Sequence, residues 1–386
     1  MISRARARRS VSNDTALATM KVTWRSADMR TDNQRAANEE MRDYAHMVSK
    51  RIAVVGTGAN GAAIGADLTR AGLDVTFVEQ WPAHVEAMRA RGIRVEMPQE
   101  TQTTPVRVFH LCEVATLRED FDVVFVVVKA YDTKWACELI KPLVRAEGLV
   151  VGIQNGMTID AMASIVGPER TLGAVIEIAA NMFEPGIVER QTPPAGTWFS
   201  VGAYDAATRG REIEVAELLR HAGAVEISDD IRSSKWMKLV ANAAEVLPSA
   251  ILNLPLAEAV KVPGIREVME EAGKEAIRTA LALGHRIVPI LGKSRVEVND
   301  PDHYATTLID AVLSGWALPT TKVAVLQDWQ KGRRGEIEDI NGFVVSEQRR
   351  LGGQAPVNAK LVDVAHRIER GELAAHPSNA SLLVLH

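Results

Sequence analysis

The most constraining feature of this sequence is a β-branched run that leads directly into a glycine-rich loop. The run is Arg51–Val55, and the loop after it, which matches the pattern GxGxxG, is Gly56-Thr57-Gly58-Ala59-Asn60-Gly61. Residues Ala62–Ala71 then show helical spacing. The pattern GxGxxG alone is a weak signal, but between a strand and a helix it favours a βαβ unit of the Rossmann type over an ordinary glycine-rich turn.

Each glycine of this loop has a distinct physical role in such a unit. Gly56 permits a tight turn, Gly58 lets backbone amides approach a pyrophosphate, and Gly61 allows the helix to pack closely on the strand. The N-terminus of the helix adds partial positive charge. All six loop residues are therefore predicted to bind a dinucleotide cofactor.

Glu79 bears on the choice of cofactor because it ends the predicted second strand, Val75–Glu79. A carboxylate at this position accepts hydrogen bonds from the adenine ribose hydroxyls and repels a 2′-phosphate. The sequence therefore favours NAD(H), and NADP(H) is the alternative if Glu79 turns outward.

Later segments extend the sheet and then change character. Val123–Val128 and Leu149–Ile153 are continuous apolar runs, which suit parallel strands covered on both faces. From about Arg211 the spacing becomes helical, over Ile213–His221, Ser233–Ala250, Ile265–Leu283, Tyr304–Leu313 and Thr320–Gln348. These patterns predict an α/β fold class: an N-terminal Rossmann-type parallel-sheet domain, residues 51–228, followed by an all-α C-terminal domain, residues 229–386.

Composition limits which binding partners and which cellular compartment are expected for this protein. The 386 residues have a net charge of −4, which gives no reason to expect nucleic acid or an anionic membrane surface as a partner. The two cysteines, Cys112 and Cys137, form no CxxC pair, and this favours a reduced, cytoplasmic location. The histidines and cysteines show no ligand spacing, so no metal site is expected. A homodimer is compatible with the sequence.

Residues 1–50 differ from the rest because they carry clustered arginines and no sustained apolar period. We interpret them as an N-terminal extension that is either disordered or precedes the true start, for which Met47 is the candidate.

Several short motifs occur in an order that resembles the ketopantoate reductase (2-dehydropantoate 2-reductase) family over roughly residues 51–370. Besides the glycine loop, they are Val128-Lys129-Ala130, Gln154-Asn155-Gly156, Lys238-Leu239-Val240-Ala241-Asn242, Gln327-Asp328, Glu336–Gly342 and Ala355–Asn358. The resemblance implies reduction of a ketone by hydride transfer from a nicotinamide cofactor, with a small carbonyl or hydroxy acid as the substrate.

The resemblance also implies roles for individual residues. Lys238 corresponds to the family's general acid, which protonates the carbonyl oxygen, and Asn242 lies one helical turn further on and orients the substrate. Asn155 matches a residue near the nicotinamide ribose, and Lys129 one that contacts cofactor or substrate. Glu336 matches an acidic residue near the cofactor ribose and the active site. A surface lysine at 238 and a solvated carboxylate at 336 are the structural alternatives.

Two departures from the family pattern concern the substrate. Val246 stands where the family usually repeats an asparagine, and Ala324 stands where it has a serine. Glu245 falls on the same helical face as Lys238 and Asn242, so pairing with Lys238 and contact with a differently built substrate are both open. The alternative is that Glu245 supports the site without contacting the substrate, or is simply exposed. Asn242, Glu245 and Ala324 are the predicted substrate residues.

Two other functions remain open from the sequence. One is a β-hydroxyacid dehydrogenase-like protein that oxidises an alcohol with NAD, since that superfamily also joins a Rossmann domain to a helical one. The other is a non-catalytic dinucleotide-binding sensor, against which the presence of Lys238 and Asn242 speaks.

Overall fold

The computed structural model describes residues 50–118, 120–292 and 300–384. The chain from Lys50 onward forms one compact unit. The predicted N-terminal extension, apart from Lys50, lies outside the described residues.

Eight strands form the main sheet, in the order β12-β11-β8-β7-β6-β1-β2-β5. Their bounds are β1 Arg51–Val55, β2 Asp74–Glu79, β5 Arg107–His110, β6 Phe121–Val126, β7 Val144–Gly152, β8 Thr171–Glu177, β11 Trp198–Ala203 and β12 Ala224–Ile227. The six strands from β5 to β8 are parallel, whereas β11 pairs antiparallel to β8. Their carboxyl ends therefore meet at one edge, where ligands of open α/β sheets bind.

A smaller sheet and five α-helices complete the N-terminal part of the described chain. The four-stranded sheet has the order β4-β3-β10-β9 and consists of β3 Ile93–Glu96, β4 Thr101–Thr104, β9 Ala180–Asn181 and β10 Ile187–Arg190. The helices are α1 Ala59–Arg70, α2 Pro82–Arg91, α3 Thr133–Ile140, α4 Ile159–Val166 and α5 Glu212–Leu219.

In the C-terminal part, every regular element among the described residues is a helix. Its helices are α6 Ile231–Leu252, α7 Leu256–Ala259, α8 Ile265–Ala282, α9 Pro301–Gly315, α10 Ala324–Gln330, α11 Asn341–Arg350, α12 Pro356–Glu369 and α13 Ala380–Leu383. Helix α6 is almost entirely buried, because it packs on α8, α9 and α12 and also on strand β8. It therefore carries its side chains directly to the carboxyl end of the sheet. Within the described residues, no helix combines the length and apolar character needed to cross a bilayer.

The predicted fold class is confirmed, but several predicted elements are wrong. The segment between α2 and β6, for which the sequence predicts no strand, contains β3, β4 and β5, and strand β12 follows Arg211, where helical spacing was expected. Each of these strands has only four residues, so even the apolar and polar alternation of β3, Ile93–Glu96, is too short to stand out in the sequence.

The helix predicted over Thr320–Gln348 is also wrong, because it is two helices separated by residues 331–340. Gly332 adopts a φ of +68°, and the amides of Gly332 and Arg333 donate to the carbonyls of Trp329 and Asp328. This hydrogen-bond pattern is a Schellman motif, which ends a helix at a left-handed glycine. The break directs the 331–340 segment to the edge of the sheet.

Candidate active site

A cleft of about 260 Å³ lies where the carboxyl ends of β1, β6, β7 and β8 face helices α6 and α10. Of the predicted site residues, all but Thr57 and Gly61 line this cleft: Gly56, Gly58, Ala59, Asn60, Glu79, Lys129, Asn155, Lys238, Asn242, Glu245, Ala324 and Glu336. Residues separated by almost 300 positions in the sequence are thus brought to one place.

The glycine loop has the shape that a pyrophosphate needs. Gly56 has a φ of +89°, and a Cβ there would lie 2.6 Å from the Val128 amide nitrogen. A Cβ on Gly61 would lie 2.1 Å from the Gly56 carbonyl oxygen, so this glycine serves helix packing rather than the cleft. A Cβ on Gly58 would instead project into open space at the N-terminus of α1. That space adjoins the first amides of the helix, where an anionic group would be favoured.

Glu79 is held by four hydrogen bonds. The Thr57 amide and hydroxyl donate to Oε2 at 2.7 and 2.9 Å, and the amides of Gln80 and Trp81 donate to Oε1 at 2.9 Å each. A carboxylate has about four lone-pair positions, so its acceptors are used within the protein. Glu79 therefore organises the loop and presents negative charge to the cleft.

Three residues that the sequence analysis did not single out pack beside the glycine loop, and of these Arg333 lines the cleft. The Arg333 guanidinium lies 5.5 Å from the centroid of the Trp81 ring, and Trp81 packs on His84. His84 accepts from the Gly186 amide through Nδ1, so its Nε2 carries the proton that is donated to the Thr57 carbonyl. Burial lowers the pKa of His84, which keeps the ring neutral. Arg333 meets Trp81 only because the 331–340 segment folds back onto the glycine loop, which the sequence does not indicate.

An ion cluster joins the two parts of the chain at the end of β6. Lys129 Nζ donates to Asp328 Oδ2 at 2.6 Å and to Glu336 Oε2 at 3.1 Å, and the Ala130 amide donates to Glu336 Oε1 at 2.8 Å. Burial alone would lower the pKa of Lys129, but the two carboxylates outweigh it and raise that pKa. Burial raises the pKa of Asp328 despite the nearby ammonium. Glu336 is thus a buried, bound carboxylate and not a solvated one.

Lys238 lies at the opposite wall, on α6, and forms an ion pair with Glu177 at the end of β8. Both side chains are almost buried and both line the cleft. Glu177 is a site residue that the sequence analysis missed, since nothing in the β8 pattern distinguishes it from an ordinary strand-end carboxylate.

Asn242 and Glu245 follow Lys238 on the same helix and leave polar atoms without partners. Asn242 Nδ2 and Glu245 Oε1 are fully buried, and neither has a hydrogen-bond partner among the described residues. Burial raises the pKa of Glu245 well above its usual value, although Lys238 opposes the shift. Such unpaired groups are costly in a free protein and are typical of a site that a ligand completes.

Apolar side chains also line this part of the cleft. The two departures from the family pattern, Val246 and Ala324, both line it, together with Leu256, Val312, Trp316, Ala317 and Val323. Thr321, Lys322 and Gln327 come from the same chain segment as Val323 and Ala324 and also line the cleft, so the surroundings of Lys238 combine apolar side chains with polar and charged groups.

A buried lysine, Lys235, holds the backbone next to Asn155. Lys235 Nζ donates to the carbonyl oxygens of Gln154 at 2.7 Å and Ala174 at 3.3 Å, and burial lowers its pKa to about 7. Gln154 in turn donates to the Thr133 hydroxyl at 2.8 Å. These bonds hold the backbone next to Asn155 at the carboxyl edge of β7.

Comparison with known families agrees with this geometry. The model of ketopantoate reductase PanE/ApbA matches residues 52–204, and the model of its C-terminal part matches residues 230–369. This chain belongs to the ketopantoate reductase family. A curated relative, the 2-dehydropantoate 2-reductase of Archaeoglobus fulgidus, is 29% identical over 325 residues, which cover 83% of this chain and 99% of the relative.

Solved structures give the same picture. A ketopantoate reductase of this family from Ralstonia eutropha JMP134 superposes with a TM-score of 0.69 at 27% identity, over 83% of this chain and 99% of that one. A D-mandelate dehydrogenase solved with NADH and anilino(oxo)acetate reaches a TM-score of 0.72 at 19% identity, with the same two coverages. At that identity the second likeness concerns the fold alone.

Proposed function

We propose that this protein is a nicotinamide-dependent reductase that converts the ketone of a small 2-oxo acid, or of a related carbonyl compound, to an alcohol. The observation that carries the proposal is the meeting of Lys238 with the glycine loop in one cleft. Family membership supports the same reaction, because the curated relatives are 2-dehydropantoate 2-reductases.

The residues at one end of the cleft would bind the cofactor, and those at the other end would bind the substrate. The amides at the start of α1 bind the pyrophosphate of the cofactor, and Asn155 lies where the nicotinamide ribose would be held. A nicotinamide bound there supplies a hydride to the carbonyl carbon of the substrate. Lys129 and Glu336 fix the β6 edge against the helical part, and they line the same cleft in which that ribose would be held.

Lys238 donates a proton to the carbonyl oxygen as negative charge develops on it. Its Nζ is placed by α6 and by the ion pair with Glu177. The free amide nitrogen of Asn242 is available to orient the substrate, because no described residue occupies it. Asn242 adds no charge, so it directs the substrate without competing with Lys238.

We also infer a preference for NAD(H) over NADP(H). The support is the negative charge of Glu79 at the end of β2, since a 2′-phosphate would have to approach a buried carboxylate. Its acceptors are already used, so the preference comes from repulsion of the phosphate more than from hydrogen bonds to the ribose. Arg333 is the cation that would weaken this preference.

The two alternatives have less support. The Gln154-Asn155-Gly156 turn and the Glu336 segment favour a reductase of this family over a β-hydroxyacid dehydrogenase-like protein. A non-catalytic sensor does not require Lys238, Asn242 and Glu245 to converge on one buried point. A homodimer remains a prediction from the sequence.

Steady-state oxidation of NADH and NADPH by a panel of carbonyl compounds tests the proposal. We expect turnover in the wild type and a loss of kcat of about 10²–10⁴-fold in Lys238→Ala, with cofactor affinity unchanged within a few fold. The exposed Lys261→Ala is the matched control and should retain wild-type kcat. A Lys238→Ala variant that keeps more than about a tenth of kcat, with hydride transfer rate-limiting, would refute the role of Lys238.

A further inference from the structure

Positive charge without a carboxylate partner is concentrated on one wall of the cleft. Three cations that line the cleft form no ion pair with a described residue: Lys322, Lys331 and Arg333. Lys322 donates to the side-chain oxygen of Gln330, and the other two lie over aromatic rings. All three come from helix α10 and its two flanks, so this wall has cationic groups that the protein itself does not neutralise.

Lys331 is the member of this group whose place is fixed by the end of a helix. It directly follows α10, and its backbone amide donates to the carbonyls of Gln327 and Asp328 at 3.1 Å each. The left-handed turn at Gly332 comes next. The Lys331 ammonium lies 5.3 Å from the centroid of the Phe183 ring, which attracts a cation but does not cancel its charge.

The charges around Lys331 do not compensate it. Burial lowers its pKa to about 8, the positive charges of Lys129 and Arg333 act in the same direction, and Asp328 opposes them. Asp328 is already bound by Lys129 Nζ at 2.6 Å. A partly buried cation without its own counter-charge is costly in the free protein, and an anion bound beside it would relieve that cost.

The order of the strands shows which part of the cleft Lys331 faces. Strand β1 lies between β6 and β2, and it leads into the glycine loop. Lys129 follows β6, and Trp81 follows β2. Lys331 is close enough to Lys129, and to the Arg333 that lies over Trp81, for both charges to act on it. It therefore lies between the edges of β6 and β2, across the cleft from the glycine loop.

The anion that the proposed function brings to this part of the cleft is the diphosphate of the cofactor. A diphosphate diester carries two negative charges. The glycine loop, Gly56–Gly61, has no charged side chain and offers backbone amides and about half an elementary charge at the start of α1. The opposite wall supplies the missing positive charge. A lysine ammonium suits a phosphate oxygen, because it is a compact point charge with three donors on a flexible stem.

We propose that Lys331 binds the diphosphate of the dinucleotide cofactor from the side opposite the glycine loop. The cofactor is then held between the sheet and the helical part of the chain. This inference rests on the proposed function, because it concerns the cofactor of that same reaction.

Binding of NADH and of ADP-ribose, measured by calorimetry without any carbonyl substrate, tests the proposal. ADP-ribose keeps the diphosphate and lacks the nicotinamide. We expect Lys331→Met to weaken both ligands by about tenfold or more, and Lys331→Arg, which keeps the charge, to stay within a few fold of the wild type. The exposed Lys261→Met is the matched control and should bind both ligands as the wild type does.

Two readouts separate lost binding from a damaged fold. The unfolding midpoint of free Lys331→Met should be unchanged or higher, because the substitution removes a charge that lacks a partner. At pH 8 about half of the Lys331 side chains carry the proton, and a bound diphosphate favours the ammonium. The wild type should therefore take up as much as about half a proton more than Lys331→Met for each ADP-ribose bound. Calorimetry in two buffers of different ionisation enthalpy measures this uptake.

Equal affinities of the wild type and Lys331→Met for ADP-ribose would overturn the proposal, and so would equal proton uptake. Unchanged NADH affinity together with a raised KM for a 2-oxo acid would instead assign Lys331 to the substrate carboxylate. A wild type that binds neither NADH nor NADPH would refute the proposed function itself, whereas binding that Lys331→Met leaves intact would refute only the role of Lys331.

Discussion

The hydrogen bonds of Glu79 allow a quantitative test of how the glycine loop is held. In Glu79→Gln, the side-chain oxygen can still accept two bonds, but the new amide group faces N–H donors in place of acceptors. The Thr57 hydroxyl can rotate away, whereas the amides of Thr57, Gln80 and Trp81 cannot. If the new amide group faces Thr57, the Thr57 amide loses its acceptor. If it faces the other way, the amides of Gln80 and Trp81 both lose theirs.

A hydrogen bond to a charged group contributes about 1.5–3 kcal/mol, so Glu79→Gln should lower the free energy of unfolding by about 3 kcal/mol. The same change removes one negative charge near the position of a 2′-phosphate. At about 1–3 kcal/mol for a partly solvated like-charge contact, the kcat/KM ratio of NADH to NADPH should fall by roughly 5–150-fold.

Urea unfolding and steady-state kinetics with both cofactors at one ionic strength measure the two effects. The control is Glu226→Gln, the same substitution at an exposed position of edge strand β12, which should change neither quantity. A stability loss below about 1 kcal/mol, together with a change in the cofactor ratio below threefold, would show that Glu79 neither holds the loop nor faces the cofactor.

Three further predictions concern the supports of the site. Gly332→Ala should destabilise the protein by about 1 kcal/mol in urea unfolding because the residue has a φ of +68°; an unchanged midpoint would contradict this. Glu336→Gln should lower kcat/KM while the Ala130 amide keeps an acceptor, and unchanged kinetics would remove Glu336 from the site. Burial lowers the folded-state pKa of Lys235 to about 7, so the stability of the wild type relative to Lys235→Met should be flat below pH 7 and rise between pH 7 and about 10.5. A pH-independent difference would refute the burial of the Lys235 amine among backbone carbonyls.

The parts of this fold that the sequence predicts are those with strong local signals. The β1 strand, the glycine loop and α1 follow from β-branched residues and glycine spacing alone, and the predicted start of β1 is also the observed one. Helix α6 follows from its apolar spacing. Short edge strands such as β4, Thr101–Thr104, carry no such signal, because they are stabilised by pairing with a neighbour and not by their own apolar face.

Some residues of the site are predictable from local spacing, and others are placed only by tertiary packing. Lys238 and Asn242 lie one turn apart on one helix, so spacing alone puts them together. Glu177 and Arg333 reach the cleft through tertiary packing of β8 and of the 331–340 segment, which no local pattern encodes. The hydrogen bonds that occupy Glu79 were also beyond prediction, since they depend on how the loop folds back over the strand end.

The most direct test of the central claim is a crystal structure of the protein with NAD⁺ and an unreactive carbonyl analogue such as oxamide. We predict that nicotinamide C4 lies about 3–3.5 Å from the carbonyl carbon and that Lys238 Nζ donates to the carbonyl oxygen at about 3 Å. A nicotinamide ring bound away from α6, or a carbonyl oxygen held by groups other than Lys238, would contradict the assignment of this cleft as the site of reduction.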